Sequence, residues 1–566
     1  MKLFISGNGE ITLTQQDFVH QGGEGSVFSK GNLAYKVYTE PKKMLPLGKI
    51  QELSALAAPN IIRPQDILLD AKNNPVGYTM EFIQDAVSLC QLFPRVYRHQ
   101  HNIGTDKIIQ LVLRMKETIE HIHTKSILLV DLNELNFLVS KQLKEVYFID
   151  TDSYQTPHFP ATALMLSIKD WQTKTFSELS DWFSFAVVTF QLFIGIHPYR
   201  GKHPVHGGDL ETRMKMNISV FNSDVRIPPV CEPFDSIPET WRDWYRSVFS
   251  GGRVPPPSSV IATVQIVKSS KQLSKTEKLE FTLLEQFPAS ILGVFSNIGK
   301  IAIRTKDAIH FGTKIALPEN YTAVAFTPGS NLPIAAGTHE DKIQMYDILK
   351  DERLSPISTL FAQDLMVYEG RLYLHYGDYI LEVQFLSTGK AIIVSAKKVG
   401  AVLKHATQMF SGVVIQELFS WGQQRSWQYA SIFPSSGLCY QIPLPELNYH
   451  RVLCAKFDSG VLMIMGEKNG SYDRFVFRMS EEYTSYDYWC VSNVGNFGLN
   501  FVVLDSGICV SLNEEGTLDM FRAKKGDPLR RTIDDPALNN NLQLYKDGAR
   551  LLAAHGNILY HLVLRG

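Results

Sequence analysis

The chain has 566 residues, of which 45% are apolar and 20% charged, with a net charge of −1. That length exceeds what one hydrophobic core organises, so two or three domains are expected. The balanced charge gives no overall pull toward nucleic acid. No stretch approaches the ~18 uninterrupted apolar residues of a membrane span, and the apolar run in MKLFISGNGEITL is too short for a signal peptide. A cytoplasmic protein without membrane contact is expected. The cysteines at 90, 231, 439, 454, 490 and 509 lack C-x-x-C spacing, which argues for buried thiols rather than zinc or a disulfide framework.

The first 262 residues mix strand-like runs, helical patterns and glycine-marked turns. An apolar strand signal, ITLTQQDFV, leads into HQGGEGSVF, where Gly22 and Gly25 allow the backbone to approach phosphate oxygens and its amides to donate to them. Lys36, in AYKVY on the next strand, stands nine residues past Val27 and can reach such phosphates. Glu52 follows 16 residues later on an apolar-periodic helix, placed to pair with Lys36. GYTMEFI (77–83) reads as an apolar strand, and residues 104–125 as a helix with His121 and His123 packing at its end. LLVDLNELNFLVS and EVYFIDTDSYQ then carry Asp131, Asn136 and, 14 residues further on, Asp150. Asn136 and Asp150 supply the oxygen donors that a hard cation such as Mg²⁺ prefers, and Asp152 is a further carboxylate beside them. SDWFSFAVVTFQLFIGIHPYRG (180–201) is a strongly apolar helix with Asp181 at its start.

The order and spacing of these stretches resemble the eukaryotic-type Ser/Thr protein kinase superfamily. They are similar to a bacterial branch in which D-x-D-S-[FY]-Q replaces D-F-G. The resemblance covers about residues 10–262 and implies an α+β bilobal protein-kinase-like fold that uses ATP and Mg²⁺. It implies that Asp131 orients the attacking hydroxyl, with Lys36 and Glu52 as its catalytic ion pair. Asn136 and Asp150 would hold the metal, and Gly22, Gly25, Val27 and Lys36 the nucleotide. Met80 would be the gatekeeper, with backbone groups of Glu81 and Phe82 on the adenine edge. Asp181 would bond the backbone of the Asp131 loop.

The chain departs from that pattern at several places. His20 stands where the first glycine is usual, Leu129 and Val130 replace His-Arg, and Asn133 replaces a lysine that would face the transferred phosphoryl. FPATAL (159–164) is the nearest match to A-P-E, and Arg253 resembles an arginine whose acidic partner the sequence does not identify. Thr151, Ser153, Tyr154, Thr156, Thr162, Thr173 and Thr175 are candidate autophosphorylation sites.

GRVPPPSS (252–259) breaks the pattern, and residues 263–284 read as a polar, lysine-rich linker. From 285 to 566, short alternating strands recur around turns ending in Gly370, Gly412, Gly460, Gly507 and Gly548, spaced 42, 48, 47 and 41 residues apart. Weaker copies sit at Gly299 and Gly329. A period of about 40–50 residues with three or four strands predicts an all-β, WD40-like propeller of about six or seven blades. The whole reads as an ATP/Mg²⁺-dependent Ser/Thr protein kinase acting on protein substrates, with a propeller that recruits substrate or an unidentified protein partner. A pseudokinase scaffold and a small-molecule phosphotransferase are the competing readings.

Overall fold

The computed structural model describes residues 1–207, 209–258, 272–316, 321–339, 342–349, 356–388, 391–421, 425–495, 498–527, 530–539 and 541–565. The expected boundary at 262/263 and the first part of the expected linker lie outside the described residues.

The N-terminal region opens with a seven-stranded antiparallel sheet. Its strands are β1 (Lys2–Ile5), β2 (Gly9–Thr12), β3 (Phe18–Gln21), β4 (Gly25–Lys30), β5 (Leu33–Tyr38), β6 (Ile67–Leu69) and β7 (Pro75–Glu81), in the order β2-β1-β6-β7-β5-β4-β3. A short helix, α1 (Leu47–Leu53), crosses between β5 and β6. Below the sheet come α2 (Arg95–Gln100), α3 (Thr105–His123) and a small three-stranded sheet of β8 (Ala86–Ser88), β9 (Phe137–Ser140) and β10 (Val146–Phe148). Helix α4 (Glu178–Ile194) runs through the core, with α5 (Leu210–Lys215) and α6 (Glu239–Phe249) after it. Every residue of α4 from Ser180 to Ile194 is buried, as expected of a helix that is apolar on all sides. Ser177 caps its first turn and Gly195, at φ 85°, ends it.

Among the described residues that follow, the chain forms seven four-stranded antiparallel sheets, a propeller-like region. In the first six, the four strands are consecutive in the chain. The turn after each sheet's first strand carries a left-handed glycine: Gly299, Gly329, Gly370, Gly412, Gly460, Gly507 and Gly548, with φ between 61° and 89°. These are the seven glycines whose spacing the sequence displays. The seventh sheet is assembled differently. Its inner three strands, Leu542–Asp547, Arg550–His555 and Ile558–Leu564, are joined by Leu279–Gln286, so the chain's last strand pairs with the strand that begins the region. Leu279–Gln286 was expected to be mostly linker. It is a strand because this pairing closes the ring and covers an edge, and only its first residues, Leu279 and Phe281, point inward. Neighbouring sheets touch through their first strands, and the first strand of the seventh lies beside that of the first.

The two regions share packed surfaces. Leu453, Met465, Tyr472 and Val494 of the propeller-like region belong to the same apolar core as α3 and α4. Phe419 joins the core formed by Phe18 and Phe28.

Candidate active site

The cleft between the seven-stranded sheet and the helices below opens into one large cavity of about 4250 Å³, which runs on toward the inner strands of the propeller-like region. In antiparallel pairing, directly opposed residues share a face. Lys36 opposes Val27 on one side and Tyr78 on the other, while Ala34 opposes Met80. All five line the cavity. Gly25 is required by the close approach of two strands, because a Cβ there would sit 2.3 Å from the Val37 carbonyl oxygen. Gly22 N–H donates to Gly25 O at 2.9 Å and closes the turn of the hairpin.

Lys36 is the centre of the site. Its ammonium donates to Asp150 Oδ1 at 2.9 Å and to Asp152 Oδ2 at 2.7 Å. Asp152 also accepts from Tyr38 Oη at 2.7 Å. Burial disfavours the charged lysine, but Asp152, Tyr78 and Asp150 outweigh it and hold the Lys36 pKa well above its ordinary value. Burial pushes the Asp150 carboxyl up to about 6, opposed by Lys36 and aided by the Asp152 charge. The 42% exposure of the Asp150 side chain toward the cleft limits that rise. Asp152 is held below the usual carboxylate range: burial works against it, and Lys36 and Tyr38 overcome the penalty.

The expected Lys36–Glu52 pair does not form. Glu52, half-buried on α1, accepts instead from His158 Nδ1 at 2.6 Å and from His158 N–H at 3.3 Å. The face of α1 turned inward carries Lys49, whose Nζ donates to the carbonyls of Asp152 at 2.7 Å and Pro160 at 3.2 Å. The D-T-D spacing explains the exchange. Residues 151–153 form a single 3-10 turn that starts from Asp150 in a left-handed conformation (φ 59°). That turn brings a second carboxylate to Lys36, so none is needed from α1. Asp152 was legible only as an acid near the metal pair, and Lys49 carried no signal at all.

Asn136 and Asp150 are set side by side by a backbone bond, Ile149 N–H to Asn136 O at 3.0 Å, and both line the cavity. Asn136 Nδ2 donates to the Asp131 carbonyl at 2.9 Å, which leaves its side-chain oxygen for other contacts. An amide oxygen and a carboxylate beside a lysine are donors that suit Mg²⁺ on a nucleotide phosphate. Asp131 is 7% exposed, and its Oδ1 accepts from Met165 N–H at 2.7 Å. Asn133 is used locally: its Oδ1 accepts from Leu135 N–H at 2.9 Å and caps the 3-10 turn that carries Asn136. Val130, just before Asp131, has φ 61°, a strained conformation for a β-branched residue.

The loop is anchored from below. Asp181 accepts from Leu129 N–H and Val130 N–H, each at 2.9 Å, as the sequence pattern suggested. His123 Nε2 lies 3.0 Å from Asp181 Oδ2, so this histidine is part of the anchor as well as a packing residue. Arg253 meets Asp170 in a two-bond fork at 2.5 and 2.6 Å, which supplies the acidic partner that FPATAL lacks. Of the hinge residues, Met80, Glu81 and Phe82 all border the cavity. The Phe82 N–H, however, donates to Asn32 O at 3.0 Å, which removes it from the expected adenine contacts. Four of the candidate phosphorylation sites, Thr151, Ser153, Tyr154 and Thr156, are buried; Thr162 and Thr175 are exposed.

No protein-family model matches the chain. It is similar to a probable serine/threonine-protein kinase of Dictyostelium discoideum, with 23% identity over 170 residues. The match covers 29% of this chain and 12% of that protein's length. It supports a kinase relationship over a short region. Among the described residues no helix is long and apolar enough to cross a membrane.

Proposed function

We propose that the chain is an ATP- and Mg²⁺-dependent phosphotransferase of the Ser/Thr protein kinase type. The N-terminal region, from β1 through α6, forms the bilobal kinase-like unit, and the propeller-like region presents partners or protein substrate to it. The observation that carries this reading is the Lys36–Asp150 ion pair, with Asn136 alongside, under a glycine hairpin and at the wall of one cavity. The contact between residues 114 positions apart supports this reading, because a nucleotide phosphate and its metal need a lysine and a carboxylate within reach of one another. In this reading the hairpin amides and Lys36 bind phosphate oxygens, and Asn136 and Asp150 hold the metal. Lys36 would exchange Asp150 for phosphate while Asp152 keeps it in place. Met80, Val27 and Ala34 would flank the base. Asp131 would accept a hydrogen bond from the acceptor hydroxyl once Met165 withdraws.

A specific observation favours a second reading, a nucleotide-binding pseudokinase: the Asp131 carboxylate is shielded and already bonded to the Met165 amide. One experiment separates the two. Purified protein is incubated with labelled ATP and Mg²⁺, beside Asp131→Ala and Asp150→Ala. The first reading expects transfer to protein that falls about 10²–10⁴-fold in Asp131→Ala, the usual contribution of a positioned acid or base. ATP binding with no transfer in any of the three proteins would leave the pseudokinase.

A further inference from the structure

The glycine hairpin departs from its pattern at His20, and the structure gives that histidine a partner in the other region. His20 Nδ1 lies 2.7 Å from Glu417 Oε2, and Gln21 N–H donates to Glu417 Oε1 at 3.3 Å. Glu417 is 9% exposed and belongs to the second strand, Val413–Ser420, of the fourth propeller-like sheet. It also accepts from Ser426 Oγ, and Ser426 N–H donates to Gln21 Oε1 at 2.6 Å. The contact continues in the rings behind it. Phe18 stacks on Phe419 at 5.1 Å and Phe28 on Trp421 at 5.5 Å. Both strands of the hairpin are therefore gripped at the base of its turn by residues nearly 400 positions further along the chain. Gly22, Gly23 and Glu24, beyond the grip, border the cavity.

A glycine-rich turn is costly to order around a ligand, because glycine has the most backbone freedom to lose. Fixing its base in advance lowers that cost and raises affinity without adding a ligand contact. Burial opposes ionisation of Glu417, but His20, Ser426 and the Gln21 amide overcome this and keep its pKa low. A glycine at position 20 could make no such side-chain contact. The departure from the glycine pattern and the interregion bond are then one feature.

We propose that Glu417 is a positioning residue for the nucleotide site: by holding His20 and Gln21 it sets the glycine hairpin over the phosphates, so that nucleotide affinity depends on the propeller-like region. The inference rests on the nucleotide reading above. Linkage makes it reciprocal: a partner on the propeller-like region that loosens this bond weakens ATP binding, and ATP weakens that partner by the same factor.

The test uses the full chain, with MgATP and adenosine titrated by calorimetry into wild type, His20→Gly and Glu417→Gln. MgATP affinity is expected to fall about tenfold in each variant, from the loss of a charge-assisted bond, while adenosine affinity stays within about twofold. The double variant should lose no more than either single one, since both remove the same bond. Folded variants that bind MgATP as wild type does would overturn the proposal. So would an equal loss for both ligands, which marks the contact as packing alone. Wild-type protein that binds neither ligand overturns the nucleotide reading itself, and needs no variant to show it. If Glu417→Gln fails to fold, His20→Gly carries the test, because the His20 side chain is 43% exposed.

Discussion

The two regions of this molecule are built on opposite plans. In the propeller-like region six of the seven sheets are formed from consecutive strands, so most of each sheet is a local product of one stretch of chain. In the cleft, Lys36 meets Asp150 and Asp152 across more than 110 residues, and Asp181 meets the Asp131 loop across about 50. A local sheet tolerates a change at one turn, because its neighbours hold independent turns. A site of converging charges does not, because removing one partner leaves buried charge less fully compensated.

That difference is open to direct attack. The largest effect is expected at Asp152, whose loss leaves the buried Lys36 ammonium without its innermost carboxylate. Asp152→Ala should lower stability by about 3–5 kcal/mol, the usual cost of breaking a buried pair, read as a denaturant midpoint shift. It should weaken MgATP binding as well. Glu52→Ala, which loses only the His158 contacts outside the cavity, should cost about 1 kcal/mol and leave MgATP binding unchanged. If Glu52→Ala were the more damaging, Lys36 would have the partner first expected of it. The repeat region should respond more evenly. Gly299, Gly460 and Gly507 have positive φ, and a Cβ at any of the three meets nothing within 4 Å. Alanine there pays only the left-handed backbone cost, about 1–2 kcal/mol at each site. Three similar destabilisations with unchanged MgATP affinity would support separate, local turns. A loss of nucleotide binding from any of them would show the ring and the cleft to be more tightly coupled than the Glu417 contact alone requires.

The same contrast explains what could be read from the residues alone. The turn glycines were visible because each solves the same local problem, a tight turn at φ > 0, and recurs at a fixed period. The closing strand was not visible. Leu279–Gln286 is half polar and exposed along most of its length, so its apolar residues show no buried alternation, and its partner Ile558–Leu564 lies at the other end of the region. In the cleft, Asp131, Asn136, Asp150 and Asp181 stand at spacings fixed by short turns and one helix start, and the structure brings them into one neighbourhood. Glu52 was assigned by spacing on a helix only seven residues long. There, a choice between Lys49 and Glu52 as the inward residue depends on what the 150–153 turn already supplies. Asn133 looked like a lost lysine. Its bond to Leu135 N–H shows a residue chosen for the turn. His20 looked like a lost glycine, and the reason for it lies 397 residues away.

The smallest expected effect tests the seam itself, at a buried acid near Asp131 that the propeller-like region contacts. Glu134 accepts from Tyr472 Oη, and its second carboxylate oxygen is buried without a partner. Burial raises its pKa, with a further push from Asp131, while the Tyr472 bond pulls the other way. A carboxyl whose folded pKa lies above its unfolded one contributes stability at low pH, and loses it as pH rises through the folded value. Wild-type protein should therefore lose part of the stability of this seam as pH rises above the ordinary carboxylate range. Glu134→Gln keeps an acceptor for Tyr472 and cannot ionise. It should melt about 2 °C above wild type at pH 8, which corresponds to roughly 1 kcal/mol, and the gain should vanish toward pH 4. A gain that instead grows on acidification would mean that Glu134 is stabilised as the anion. The Tyr472 bond would then outweigh burial, and the propeller-like region would hold the Asp131 loop by charge.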